Sequence, residues 1–235
     1  MKVTDYKDKQ FKEISKEEAA EILEHDCYDA EDGVYAKDKN NDLYLVRIIG
    51  DDCTENPREW DNICTIVSAA GRDWNIADKG FSFKTHEECM KILGKPDTYF
   101  LPIYMYDHSG QTISLSSFGD PWDSGVCGFI FVTKEQMKKA GYDVSDEETW
   151  HKEAEKIMDK EIEVYDYYIK GECYAVRTDK LIKVRHINED TGEQWDTVEL
   201  EFQDCLGGFL GTNILENGML DDIDIEDCVF LKEVM

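Results

Sequence analysis

Between Thr98 and Thr133 two apolar runs of strand length, "TYFLPIYMYD" and "GVCGFIFVT", enclose a polar stretch, "DHSGQTISLSSFGDPWDSG", from Asp107 to Gly125. That stretch holds one His, one Trp, three Asp and five Ser, yet no Lys, Arg or Glu, in a chain that is 34% charged. Runs rich in β-branched and aromatic residues belong in a buried sheet, so the polar segment is expected to have both ends anchored to core strands. Loops held on such a frame are where proteins usually present polar chemistry.

Helix starts are marked by Ser or Thr followed three places later by Glu or Gln, the reciprocal capping box. The pairs are Ser15 with Glu18, Thr85 with Glu88, Thr133 with Gln136, and Ser145 with Glu148. The last opens the longest helix, in which Trp150, Ala154, Ile157, Met158, Glu161, Tyr165 and Tyr168 recur at helical spacing up to Gly171. Its apolar stripe is expected to lie on a sheet.

Further strand-like runs cover 42–50, 62–70, 112–117, 173–179, 181–187, 196–202 and 228–234. The two runs meeting at Asp179-Lys180 read as a closely joined pair, and "DTVELEF" alternates as a strand with one wet face. Ile223, Ile225 and Val229 suggest another strand with charges on its wet face, while "DCLGGFLG" (204–211) reads as a tight turn. The fold expected is α+β, a mainly antiparallel (mixed) sheet with about four flanking helices. One domain over 1–235 is expected, with room for an N-terminal helical extension over 1–40.

The charge balance, 26 basic against 53 acidic residues for a net −27, argues against direct binding to nucleic acid or anionic membrane. Basic proteins, cations or neutral small molecules are the partners it permits. The 41% hydrophobic content is enough to pack a core, so disorder is not expected. Eight cysteines show no CxxC spacing and no clustering with the five histidines, so neither a metal site nor a cofactor is expected. The opening "MKVTDYKDKQF" lacks the apolar core of a secretory signal, no segment approaches a membrane span, and a cytoplasmic location with reduced thiols is expected.

Candidate site residues fall in two segments. In the polar stretch Asp107, His108 and Ser109 lie side by side, followed by Asp120, Trp122, Asp123 and Ser124. Successive side chains on extended backbone point opposite ways, so a relay is expected to join His108 to Asp123 or Ser124 across the loop. His108 would then act as general base, or the group would orient a polar ligand. The plainer alternative is turn chemistry, with Asp and Ser side chains bonded to nearby amides. In "NPREWDN", Arg58 could clamp an anionic group and Trp60 offer a stacking face. Its plainer alternative is an Asn-Pro turn whose Arg pairs with Glu59 or Asp61. "GRDWNIADKG" (71–80) repeats the Arg, Trp and Asn mixture.

On the long helix Glu155, Asp159 and Glu163 step by four residues, a spacing a DNA mimic could use. Lys152, Lys156 and Lys160 climb alongside, and Glu153 with Lys156 and Lys160 with Glu163 are placed to pair. That pattern favours an ordinary solvated helix.

Taken together, "NPREWDN", "YDHSGQTISLSSFGDPWDSGVCGFIFVTKE", "VYDYYIKGECYAV" and "DCLGGFLG" resemble a family of small proteins encoded mostly by tailed bacteriophages and related mobile elements. Its marks are PREWDN-like, DHSG with PWDSG, and YDxYLxG-like motifs, and the likeness spans about Asn56 to Gly211. The chain departs from the family pattern in "VSAAGRDWNIADKG", which lacks basic and histidine character, and in "DCLGGFLG", with Cys205 and Leu206 displaced and Leu210 where an aromatic is common. Such drift suits binding better than catalysis.

The resemblance implies a phage origin. With the acidity, it leads to the expectation of a non-structural phage accessory protein that binds in the host cytoplasm. It would inhibit a host factor or anti-phage defence system, by direct block or by capture of a nucleotide-like signal. The alternatives are a small-molecule hydrolase or transferase using His108 with Asp123 and Ser124, and an acidic DNA mimic.

Overall fold

The computed structural model describes residues 10–26, 33–69 and 75–234. Among these the chain is α+β, with four helices and eleven strands in two sheets, about 24% helical and 40% strand. It divides into two compact units, one of residues 1–54 with 172–235 and one of 55–171.

The unit of 55–171 carries the polar stretch. Its strands are β4 (Thr65–Ala69), β5 (Ser82–Phe83), β6 (Thr98–Asp107), β7 (Gln111–Ser114) and β8 (Ser124–Thr133), in the order β5-β4-β8-β6-β7. Among the described residues of this unit only β4 and β5 pair in parallel. Strand β8 is central, and its near-continuous apolar run is explained by cover on both faces. Cys127, Ile130 and Val132 join Trp150, Ala154, Met158 and Ile162 of the long helix α4 (Glu147–Lys170), while Phe129 and Phe131 join Cys89 and Leu93 of α2 (His86–Leu93). Gly128 is required between them, because a Cβ there would stand 2.7 Å from the Val67 carbonyl oxygen.

The capping residues act as expected at α2 and at α3 (Lys134–Lys139), where both halves of the box form. At α1 (Lys16–Asp26) the Glu18 amide donates to Ser15 Oγ, 3.2 Å. At α4 the cap shifts by one residue: Asp146 Oδ2 accepts from the Thr149 amide and hydroxyl, and the Ser145 amide donates to Asp143. Asp143 captures Ser145 in a turn and leaves Asp146 as the first free acceptor.

The other unit is an antiparallel six-stranded sheet. It comprises β1 (Gln10–Glu13), β2 (Val34–Lys37), β3 (Leu43–Gly50), β9 (Cys173–Ile187), β10 (Gln194–Leu210) and β11 (Val229–Val234), in the order β1-β11-β2-β3-β9-β10. Ala19, Ala20 and Leu23 of α1 pack with Val34, Val46, Ile48 and Phe230 from the sheet.

Three local expectations change here. The run expected to break at Asp179-Lys180 is one strand, because the Asp179 carboxylate is neutralised in place by Arg47 on β3 and by Arg177 two residues back. "DCLGGFLG" is not a turn but the end of β10, with register shifts between Phe202 and Asp204 and between Leu206 and Phe209. The shift at the glycines admits the Asp51 carboxylate, which accepts from the Gly208 amide (2.8 Å), the Cys53 amide (2.9 Å) and Thr54 Oγ1 (2.8 Å). The acidic segment before Val229 is built of turns rather than strand.

Candidate functional site

The polar stretch forms the turns between β6, β7 and β8, and its two ends are laced together. The Asp107 amide donates to the Asp123 carbonyl, 2.9 Å, and the His108 amide to the Gly110 carbonyl, 3.1 Å. Ser109 takes a left-handed conformation, φ 61°, to close that tight turn. Gln111 Nε2 donates to Asp107 Oδ2 at 3.3 Å. Inside, Thr112 Oγ1 and the Ile113 amide both donate to Asp166 Oδ1 on α4, 2.7 Å each, fixing β7 to the helix.

The second half of the stretch is organised by Asp120. Its Oδ1 accepts from the Trp122 amide (2.7 Å) and the Asp123 amide (2.9 Å). These two amides, Asp123 first, hold its carboxyl below the usual carboxylate range. The Ser124 hydroxyl donates to the Asp120 carbonyl and closes the turn. Ser124 therefore serves as turn chemistry.

His108 and Asp123 meet across the loop, Nδ1 to Oδ2 at 3.0 Å, with side chains 63% and 40% exposed. The Asp123 backbone is pinned by Asp107 and Asp120, so the carboxylate is pre-placed for the imidazole. Around the pair lies an aromatic surface. The Tyr106 ring stands 6.1 Å from His108 and 5.8 Å from Phe118, and Trp122 is 83% exposed. Tyr106 and Phe118 were not distinguishable from core aromatics by sequence. The one available signal was that Phe118 sits among Ser, Gly and Asp.

Arg58 is placed elsewhere. Its Nε and Nη2 form a fork on Asp78, 2.8 Å each, Nη1 reaches Glu161 Oε2 at 2.8 Å, and Nη2 also reaches the Cys64 carbonyl at 2.9 Å. Burial opposes the charge, but the bonds to Asp78 and Glu161 outweigh it and raise the guanidinium pKa. The side chain is 4% exposed and ties the 3-10 turn Pro57–Glu59 to α4, so it is not presented to an anionic ligand. Neither Glu59 nor Asp61 is its partner. Trp60 is 45% exposed and makes no ring contact among the described residues. Arg72 and Trp74 of the third aromatic segment lie outside the described residues.

With Arg58 withdrawn, the charged side chains of the polar stretch are Asp107, Asp120 and Asp123, joined only by His108. The surface can therefore receive a cation or hydrogen-bond donor and stack an aromatic or guanidinium plane, but it offers no counter-charge to a phosphate. Among the described residues no group of three or more His, Cys, Asp or Glu is arranged to hold a metal ion, and no helix is long and apolar enough to cross a membrane.

The acidic ladder of α4 is interrupted. Lys152 pairs with Glu148, Lys156 with Glu153 and Lys160 with Glu163, and Glu155 accepts from the Tyr99 hydroxyl.

No family model, no curated protein and no solved structure matches the chain, so its functional reading rests on these residues.

Proposed function

We propose that this chain is a non-structural phage accessory protein that acts by binding a basic protein of the host cell, with the Asp107 to Gly125 surface as its contact face. The observation that carries the reading is Trp122, an 83% exposed indole on a turn held by the Asp120 side chain. A large aromatic group on a turn that also carries Asp120 and Asp123 has the make-up of an interface anchor for a cationic partner. The net charge of −27 steers such partners inward. The motif likeness to phage and mobile-element proteins supports the origin, and inhibition of a host factor or defence system is the role in keeping with it. Capture of a nucleotide-like signal at this face loses support, because Arg58 is committed to Asp78 and Glu161.

The test is to crosslink the protein in the bacterial host and compare it with Trp122→Ala. A basic protein held by the unaltered chain, lost with Trp122→Ala by 30-fold or more in affinity (roughly the 2 kcal/mol of an anchor residue), and released by added salt is the expected result. Equal retention by Trp122→Ala, or no partner at all, overturns it.

One observation favours a second reading. The His108 imidazole is oriented by Asp123, and its Nε2 makes no hydrogen bond among the described residues, the arrangement of a general base. Since Ser124 is held by the Asp120 carbonyl, water would be the nucleophile. Turnover of an ester or peptide without a phosphate group by the unaltered chain, lost in His108→Asn, is its signature.

A further inference from the structure

The unit of residues 1–54 and 172–235 contains a cleft of about 420 Å³, within the range of small-molecule sites. Its floor is apolar: Ile48 of β3 with Ile214 and Met219 from the segment after β10, all at most 6% exposed. Tyr174 of β9 adds a wall, and Glu24 of α1 with Thr212 and Asn213 forms a polar rim.

The rim is built before any ligand arrives. Asn213 Oδ1 accepts from the Glu216 amide (3.3 Å), Asn217 Nδ2 donates to the Gly211 carbonyl (2.8 Å), and Asn217 Oδ1 accepts from the Met219 amide (3.2 Å). These side-chain bonds stiffen the turn that places Ile214 and Met219, so little ordering is left for binding. Among the described residues the Glu24 carboxylate, the Thr212 hydroxyl and the Asn213 amide nitrogen make no hydrogen bond, so all three remain for an occupant.

The sign of the occupant follows from the charges beside it. Glu24 also lines a shallower groove with Glu18, Glu21, Ile22 and Lys232, and Lys232 faces Glu18 at 3.7 Å. Glu24, exposed on the rim above the apolar floor, therefore has no paired cation among the described residues, and Glu21, which lines only the neighbouring groove, adds to the negative field of a chain already at −27. We propose that this cleft binds a small organic amine, its apolar body on Ile48, Ile214 and Met219 and its ammonium on Glu24.

The experiment follows the Ile and Met methyl signals of the full chain by NMR while a panel of aryl and alkyl primary amines, phenethylamine among them, is titrated against the alcohols of the same shape. Saturable shifts at Ile48, Ile214 and Met219 are expected with at least one amine. The matching alcohol should bind about tenfold more weakly, and Glu24→Gln should lower the amine affinity by a similar factor without altering the folded spectrum. Thr212→Val, a rim change away from the charge, should weaken amine and alcohol alike. Absence of saturable shifts across the panel, or equal binding of amine and alcohol, or an unchanged affinity in Glu24→Gln, each overturns the assignment.

Discussion

The guanidinium of Arg58 and the carboxylate of Asp78 face each other through two hydrogen bonds of 2.8 Å, Nε to Oδ1 and Nη2 to Oδ2. Asp78 Oδ2 also accepts from the Ile66 amide, and Glu161, on the other side of the guanidinium, accepts from the Ile63 and Cys64 amides. One cation thus joins the 3-10 turn, the start of β4 and the middle of α4. Arg58→Ala leaves two carboxylates, 16% and 12% exposed, without their counter-charge. A loss of about 3–5 kcal/mol is expected, read from urea denaturation midpoints. Arg58→Lys keeps the charge but not the fork and should recover only part of it.

The Asp51 carboxylate and Gly207 exclude each other's growth. A Cβ on Gly207 would stand 2.4 Å from Asp51 Oδ2, so Gly207→Ala must displace the carboxylate from the bonds that hold it. Asp51→Ala removes those bonds outright, at a cost of about 1–3 kcal/mol. The double variant should cost clearly less than the sum, since the added methyl then meets no carboxylate. Additive losses in a denaturation cycle would show that the backbone, not the carboxylate, resists the methyl.

Acid should weaken the sheet of β9 and β10 in a defined order. Burial works to raise the Asp179 pKa, but the hydrogen bonds from Arg177 and Arg47 outweigh it and the net shift is downward. A carboxyl with a lowered folded pKa contributes stability that is complete above the ordinary value of about 3.9 and is lost as pH falls through the folded value. Asp196, bonded by Arg185 and Lys183, is likewise pushed down to about 2. Stability should therefore decline below about pH 4, and Asp179→Asn should flatten that decline. Added salt should erase the Asp196 contribution, which is open to solvent, and leave that of Asp179, whose side chain is 0% exposed.

Thiol reactivity should separate the cysteines by burial. Cys53 and Cys205 are exposed, whereas Cys64, Cys89, Cys127 and Cys173 are buried. Burial pushes Cys127 up to about 12 and Cys228 to about 11, leaving almost no thiolate at neutral pH. Among the described cysteines, iodoacetamide on the native protein should label Cys53 and Cys205 first, and the buried four only at the rate of unfolding. Peptide mass spectrometry reads the order directly.

What the sequence alone determined is what acts over a few residues. Thr85 with Glu88 and Thr133 with Gln136 close their boxes because a cap needs only the next turn of its own helix. The runs 98–107 and 125–133 are strands because their apolar side chains have no alternative to burial. For His108 the sequence offered Asp123 or Ser124 across the loop, and the pairing of β6 with β8 together with the Asp120 turn selected Asp123.

The tertiary structure alone decided the rest. Arg58 chose Asp78 and Glu161, 20 and 103 residues away, over Glu59 and Asp61 beside it, because only the distant pair could follow it into a site closed to water. Asp179 stayed within a strand because two arginines arrived to neutralise it, and the glycines of "DCLGGFLG" became a seat for Asp51 rather than a turn. A buried charge takes the partner that packing delivers, and no spacing along the chain records which one that will be.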